Sequence, residues 1–161
     1  LQSILRDAVH MLHSEASKHD VAMIANFTPD LPTAKGDSVE IEQVALNLMR
    51  NAIEAMSDTN IRSRTLTISS GLLNDREVEV AVTDTGRGVS PDLLEKIFES
   101  FFTTKDQGLG IGLSLSRRIV EAHGGRLWVE SGEGPGATFR FTLPVEGATH
   151  GDERSHSLRR G

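Results

Sequence analysis

Two asparagines and a glutamate recur at helical spacing in the apolar stretch QVALNLMRNAIEA. Asn47, Asn51 and Glu54 would share one side of a helix, because residues three or four apart are neighbours on its surface. An amide oxygen is a ligand that suits Mg²⁺. Asparagines on a helix are also commonly just solvated. Taken alone, the motif leaves both interpretations open.

A second motif, Asp84-Thr-Gly86-Arg-Gly88-Val89, directly follows an apolar strand pattern. Glycines let the backbone approach a flat ligand closely, and an aspartate at a strand end can accept a hydrogen bond from an exocyclic amine. An ordinary turn that begins at Asp84 explains the loop equally well.

The third motif is a polar, glycine-rich segment that leads into a predicted helix. It contains Phe102, Thr103, Thr104, Lys105, Gly108, Leu109, Gly110, Ile111, Gly112 and Leu113. Free N–H groups and the dipole at a helix N-terminus favour phosphate, and Lys105 and the threonines add a charge and donors. The segment is not a Walker loop, because no Gly-Lys-Ser/Thr closes it, nor does it follow a strand directly as a dinucleotide fingerprint does.

The surrounding elements alternate between helix and strand periodicity. The pattern predicts helices at 1–18 and 113–123, a further helix that begins after 37 or 38 and ends near 56–58, a short helix starting at Ser90-Pro91, and strands at 21–27, 64–73, 77–83, 126–131 and 138–143. Asp37 or Ser38 is a candidate cap for the second long helix, and His123 a candidate cationic cap at the end of the third. The order predicts an α/β fold, a two-layer sandwich with helices on one face of a mixed, mostly antiparallel sheet.

Composition fits one globular domain. The chain has 161 residues, a net charge of −6 and no cysteine, which disfavours a nucleic-acid surface and excludes disulfides and thiolate metal sites. No apolar run is long enough to span a bilayer, no secretory signal opens the chain, and the first residue is Leu, which suggests a fragment. We expect a domain at 1–145, a disordered tail or linker at 146–161, and a cytoplasmic location.

Together with the glycine-rich hairpin GEGPGATFRF, these motifs resemble the GHKL family of ATP-binding domains, which includes gyrase, the heat-shock chaperone, MutL and histidine kinases. The resemblance implies the Bergerat fold, with ATP and Mg²⁺ as cofactors. It places Asn51 at the magnesium asparagine, Asp84 at the adenine-reading aspartate and Lys105 beside the phosphates. The implied nucleotide contacts are Asn47, Asn51, Glu54, Ala55, Asp84, Gly86, Gly88, Val89, Phe102, Thr103, Thr104, Lys105, Gly108, Leu109, Gly110, Ile111, Gly112, Leu113 and Thr138.

Within the family, two phrases are similar to the nitrogen- and oxygen-sensing kinases of bacteria: IFESFFTTK and GLGIGLSLSRRIVEAHGG. The segment 102–108, called the lid here, is short as in that subgroup. Ser100 stands where proline is usual, so we expect a looser lid edge.

The resemblance leaves three functions to weigh. Hydrolysing members resemble one another in a glutamate one turn before the magnesium asparagine, where it acts as general base. Asn47 stands there instead, which disfavours a GHKL ATPase. The FFTTK phrase and the EAHGG ending resemble an anti-sigma-type serine kinase less, and the intact Asn51, Asp84 and glycine motifs argue against a degenerate binding module. The resemblance therefore favours a histidine kinase. Asn51 and Lys105 are the implied catalytic residues. His10 and His13 lack the acceptor pattern, so the implied partners are a separate dimerisation and histidine-phosphotransfer domain and, indirectly, a response-regulator receiver domain.

Overall fold

The computed structural model describes residues 1–57, 60, 63–104, 109–131 and 134–147. Three helices and five strands follow in the order α1 (Gln2–Lys18), β1 (Val21–Phe27), α2 (Ser38–Ser57), β2 (Arg64–Asn74), β3 (Glu77–Asp84), α3 (Gly112–Ala122), β4 (Leu127–Glu130) and β5 (Thr138–Pro144). The short helix expected after Ser90 is instead two 3-10 turns, at Pro91–Leu93 and Lys96–Phe98.

The five strands form one sheet in the order β1-β2-β3-β5-β4. Strand β1 runs parallel to β2, and the other three pairs are antiparallel. Alternate side chains of the central strands are buried, among them Ile68, Val80 and Phe141, and the helices pack against that face. The predicted two-layer α/β sandwich is therefore confirmed.

Helix α2 lies at the centre of the helical layer, between α1 and α3. Its N-terminus is capped by Asp37, whose Oδ1 accepts hydrogen bonds from the backbone N–H groups of Val39 and Glu40, at 2.9 and 3.0 Å. This satisfies two of the donors that a helix start leaves unpaired. The cap fixes the residue at which α2 begins. It therefore also fixes the direction in which the polar side chains of α2 point.

The His123 ring joins the end of α3 to the start of α2. Its Nδ1 lies 2.7 Å from the Ile119 carbonyl oxygen, and its Nε2 accepts the Asp37 backbone N–H at 3.0 Å. The ring therefore occupies the expected cap position at the end of α3, and it also contacts the start of α2, where the Glu40 carboxylate lies 3.5 Å from Nε2.

The chain continues to pack after β5. Val145 forms an isolated bridge with Ala34, and the Glu146 backbone N–H donates to the Thr33 carbonyl at 2.8 Å. Residues 148–161 of the expected tail lie outside the described residues, so the boundary at 145 remains a prediction. None of the helices described here is both long and apolar enough to cross a membrane.

Candidate functional site

A cavity of about 780 Å³ opens between α2, the loop after β3 and the segment that leads into α3. Its size lies within the range of small-molecule and cofactor sites, roughly 300–1,000 Å³. The cavity brings together most of the residues singled out by sequence. Those that line it are Asn47, Asn51, Glu54, Ala55, Asp84, Gly88, Val89, Phe102, Thr103, Thr104, Leu109, Gly110, Ile111, Gly112 and Leu113.

Asp84 is a buried acidic side chain in the cavity wall, at the last position of β3, and only 3% exposed. Its Oδ1 accepts the Gly86 backbone N–H at 2.7 Å. Burial raises the pKa of this carboxyl, although hydrogen bonds from the backbone of Gly86 and Ala137 oppose the rise. A carboxylate has about four lone-pair sites, so two backbone donors leave capacity to accept a ligand amine.

The two glycines of this loop have different roles. A Cβ at Gly86 would lie 2.7 Å from the Asp84 carboxylate and 2.9 Å from the Ala55 carbonyl oxygen. Gly86 is absent from the cavity lining, so its missing side chain permits the loop to pack tightly against α2. Gly88 lines the cavity and has φ +72°, a left-handed conformation that glycine adopts without steric cost.

Asn47 connects the two helices that border the cavity. Its Nδ2 donates to the hydroxyl of buried Ser116 on α3 at 3.0 Å. A Cβ at Gly112 would lie 2.6 Å from the Asn47 Oδ1, so that oxygen faces the start of α3. Asn51 and Glu54 follow on the same side of α2, as the spacing predicts. An amide oxygen beside a helix N-terminus fits a site for Mg²⁺ together with phosphate.

The segment before α3 is held by a backbone clip. The Phe101 N–H donates to the Gly110 carbonyl at 2.8 Å. Gly110 has φ +68°, and a Cβ there would lie 2.5 Å from the Phe102 carbonyl oxygen. The clip brings Thr103 and Thr104 to the cavity opposite the Asp84 loop. Lys105 and Gly108, both predicted to contact phosphate, lie outside the described residues.

Thr138 requires a correction. Its hydroxyl lies 3.0 Å from the Thr83 hydroxyl, and neither residue lines the cavity. Side chains alternate between the two faces of a strand, so Ala137 and Phe139 face the cavity and Thr138 faces the other side of the sheet. The glycine-rich hairpin therefore lines the cavity through Ala137 and Phe139 and not through Thr138, and which of these residues contacts the nucleotide stays a prediction.

Sequence reasoning missed six further lining residues: Arg87, Ser90, Leu93, Ile97, Ala137 and Phe139. The alternation of strand β5 carried a signal for two of them, since Phe139 shares a face with buried Phe141. The apolar residues of the 3-10 turns had no usable signal, because short irregular turns impose no side-chain period.

The comparisons with known proteins agree with this geometry. Residues 36–147 match the family model described as histidine kinase-, DNA gyrase B- and HSP90-like ATPase. The chain belongs to this family. ATP binding is the property that its members share by description, and the match includes every described residue that lines the cavity.

Among curated relatives, the sensor protein FixL of Bradyrhizobium diazoefficiens is 43% identical over 145 residues, which make up 90% of this chain and 28% of FixL. The sensor histidine kinase ZraS of Escherichia coli is 35% identical over 145 residues, 90% of this chain and 30% of ZraS. The chain therefore spans less than a third of the length of either relative.

Solved structures that are similar to this chain include an isolated catalytic domain and a full-length kinase. The catalytic domain of histidine kinase ThkA superposes with a TM-score of 0.78 at 33% identity, covering 90% of this chain and 92% of that one. Full-length ShkA in complex with AMPPNP gives a TM-score of 0.78 at 29% identity, covering 89% of this chain and 29% of ShkA. The chain is thus a catalytic, ATP-binding domain of the sensor histidine kinase type.

Proposed function

We propose that the domain binds Mg²⁺·ATP in this cavity and donates the γ-phosphoryl group to a histidine on a helical dimerisation domain of the same kinase. A response-regulator receiver domain then takes the phosphoryl group from that histidine. The observation that carries the proposal is one cavity with a buried carboxylate, Asp84, in one wall and two amides, Asn47 and Asn51, beside the N-terminus of α3.

Phosphoryl transfer asks a protein mainly to position the reactants and to stabilise charge. Asp84 would accept the amine of adenine and so orient the base. Asn51, with Asn47 beside it, would hold Mg²⁺, which neutralises charge on the phosphates. The free N–H groups at the start of α3 and the hydroxyls of Thr103 and Thr104 would hold the phosphate chain. Lys105 is proposed to join them.

Asn47 favours transfer over hydrolysis, and the histidines near α1 do not fit the acceptor. Asn47 cannot take a proton from water, and its amide is held by Ser116. His10 and His13 are exposed on α1 and lack a following acidic residue. His19 precedes Asp20, but it lies just after the end of α1, and its Nδ1 is 3.1 Å from the Ser57 hydroxyl. This position is not on a helical hairpin like that of an acceptor domain.

Two solved relatives support the ligand and the partner. ShkA was solved with AMPPNP, an ATP analogue, and ThkA was solved with the response regulator TrrA. By similarity, we propose the same classes of ligand and partner for this domain.

The test is phosphoryl transfer from γ-labelled ATP, with a helical hairpin carrying a His-Glu acceptor supplied in trans. We expect label on the hairpin as phosphohistidine, which is acid-labile and alkali-stable, only with Mg²⁺, and none with Asn51→Ala. The isolated domain should release phosphate far more slowly than the roughly 10 per second of a median enzyme. Steady release near that rate, abolished by Asn51→Ala and without label on the hairpin, would identify an ATPase instead.

A further inference from the structure

The acidic side chains that line the cavity would repel a polyphosphate unless cations also bind there. Among the described residues, its lining contains two carboxylates, Glu54 and Asp84, and a single basic side chain, Arg87. The triphosphate of ATP is strongly anionic, and guanidinium groups are the side chains best matched to phosphate oxygens, which they can bind in bidentate fashion. Arg87 is therefore the described side chain with the right charge to meet the phosphate chain.

The backbone on both sides of Arg87 is fixed. Gly86 is wedged between the Asp84 carboxylate and the Ala55 carbonyl oxygen, and a Cβ at Gly88 would lie 2.9 Å from the Gly136 carbonyl oxygen. The neighbouring Val89 N–H donates to the Ser131 hydroxyl at 3.1 Å. Arg87 follows Asp84 by three residues on this fixed backbone. A base bound to Asp84 would therefore lie at a fixed distance from the Arg87 backbone.

The tip of Arg87 is held loosely. Its Nη2 donates to the Thr104 hydroxyl at 3.5 Å, at the outer limit of a hydrogen bond. This contact crosses the mouth of the cavity, from the loop after β3 to the lid. The side chain is exposed, so exchanging the hydroxyl for a charged oxygen requires no buried group to move.

We propose that Arg87 is a phosphate-binding residue that exchanges partners when the nucleotide enters. Without nucleotide, its guanidinium holds Thr104. With Mg²⁺·ATP bound, it moves to the phosphate chain and releases the lid hydroxyl, which then also faces the phosphates. The proposal rests on the proposed function, because it needs ATP in this cavity.

The test measures dissociation constants of ATP, ADP, AMP and adenosine by calorimetry, all with Mg²⁺, for wild type, Arg87→Gln and Arg87→Lys. Arg118→Gln, an exposed arginine on α3 outside the cavity lining, is the matched control. We expect Arg87→Gln to weaken ATP about tenfold, as for loss of a charged hydrogen bond, and to leave adenosine unchanged. Arg87→Lys should recover part of the loss, and Arg118→Gln should bind like wild type.

The phosphate series separates the outcomes. Unchanged ATP affinity in Arg87→Gln would overturn the proposal, as would an equal loss for ATP and adenosine, which would place Arg87 on the base. A wild-type domain that binds none of the four ligands would refute the proposed function itself. The proposal alone fails if wild type binds ATP and Arg87→Gln binds it equally well.

Discussion

At the scale of single residues, the buried carboxyl of Asp84 carries a cost in stability. The carboxylate is 3% exposed in a wall that also contains apolar side chains. Burial raises its pKa above the ordinary value of 3.8, which means that the folded protein holds the charged form less favourably than the unfolded chain does. On the proposed function, the amine of adenine would be the partner of this buried carboxyl.

A pH series on Asp84→Asn checks this cost. A carboxyl whose pKa is raised by folding contributes stability at low pH, and the contribution is lost as pH rises through the raised pKa. Asparagine does not titrate. We therefore expect the Tm of Asp84→Asn minus that of wild type to increase from about pH 4 to pH 8, while ATP affinity falls at least tenfold, roughly the effect of a mismatched buried group.

Thermal melts of the nucleotide-free domain across that range measure the stability difference, and Asp7→Asn, on the exposed side of α1, is the control that should show no trend of this kind. A difference that is flat or falls with pH would contradict the cause assigned to the pKa shift. If the wild-type domain bound GTP as tightly as it binds ATP, Asp84 would not be the residue that reads adenine.

Gly110 tests the backbone clip before α3. Gly110→Ala forces a Cβ into a left-handed position and against the Phe102 carbonyl oxygen, 2.5 Å away. Such strain costs about 1–3 kcal/mol, so we expect the clip to open and ATP affinity to fall about tenfold or more.

Gly134→Ala is the matched control for Gly110→Ala, because a Cβ at Gly134 would meet nothing within 4 Å. Calorimetry with ATP and urea unfolding of both variants make the comparison. Equal ATP affinity in the two variants would mean that the clip does not shape the site.

At the scale of elements, the site depends on how α2 and α3 are fastened to each other. Near the cavity, Asn47 of α2 bonds to Ser116 of α3. At the far ends of the helices, the His123 ring bonds both to the last turn of α3 and to the Asp37 cap of α2. Two helices joined at two separate points along their length present their polar groups to one cavity with little freedom to slide.

His123→Ala should loosen the far joint. It removes the acceptor of the exposed Asp37 N–H and the ring contact with the Ile119 carbonyl, and a hydrogen bond contributes about 0.5–1.5 kcal/mol net. We expect a loss of that size in the free energy of unfolding, measured by urea denaturation at neutral pH. His10→Ala, on the exposed side of α1, should lie within about 0.5 kcal/mol of wild type. Equal effects of the two substitutions would mean that the His123 ring is not a joint.

At the scale of the whole molecule, ligand binding should appear as stability. A ligand that binds only the folded state stabilises it by about 2.7 kcal/mol when its concentration is 100 times the dissociation constant. We expect ATP with Mg²⁺ to raise the Tm of wild type and to raise that of Asp84→Asn by no more than about half as much, because an affinity at least tenfold weaker leaves at most about 1.4 kcal/mol of this stabilisation.

Removing the metal separates the roles of base and ion. With EDTA in place of Mg²⁺, the rise in Tm with ATP should shrink, because the phosphates then lack the ion that Asn51 helps to hold. The rise with adenosine should be the same in both buffers. An ATP effect that does not depend on Mg²⁺ would argue against a metal at Asn51.

The sequence alone determined the local features of this protein. The spacing of Asn47, Asn51 and Glu54 was sufficient to place them on one side of a helix, because the helical period is set by the backbone. A cap at Asp37 or Ser38 and the start of α3 after alternate glycines were predicted for the same reason, since each depends on residues within a few positions, and the structure selects Asp37. The resemblance then supplied the nucleotide, and the family match supports it.

The tertiary structure decided what depends on residues distant in sequence. Strand β3 pairs with β5, and β3 does not pair with β4. No local sequence pattern encodes this pairing, because it joins residues that are far apart in the chain. That pairing sets which face of β5 lines the cavity, so that Ala137 and Phe139 line it and Thr138 does not. The bonds from Asn47 to Ser116 and from Arg87 to Thr104 join residues 69 and 17 positions apart. Such contacts form only when packing of the apolar faces brings the elements together, because sequence periodicity fixes which way a side chain points on its element but not what it meets.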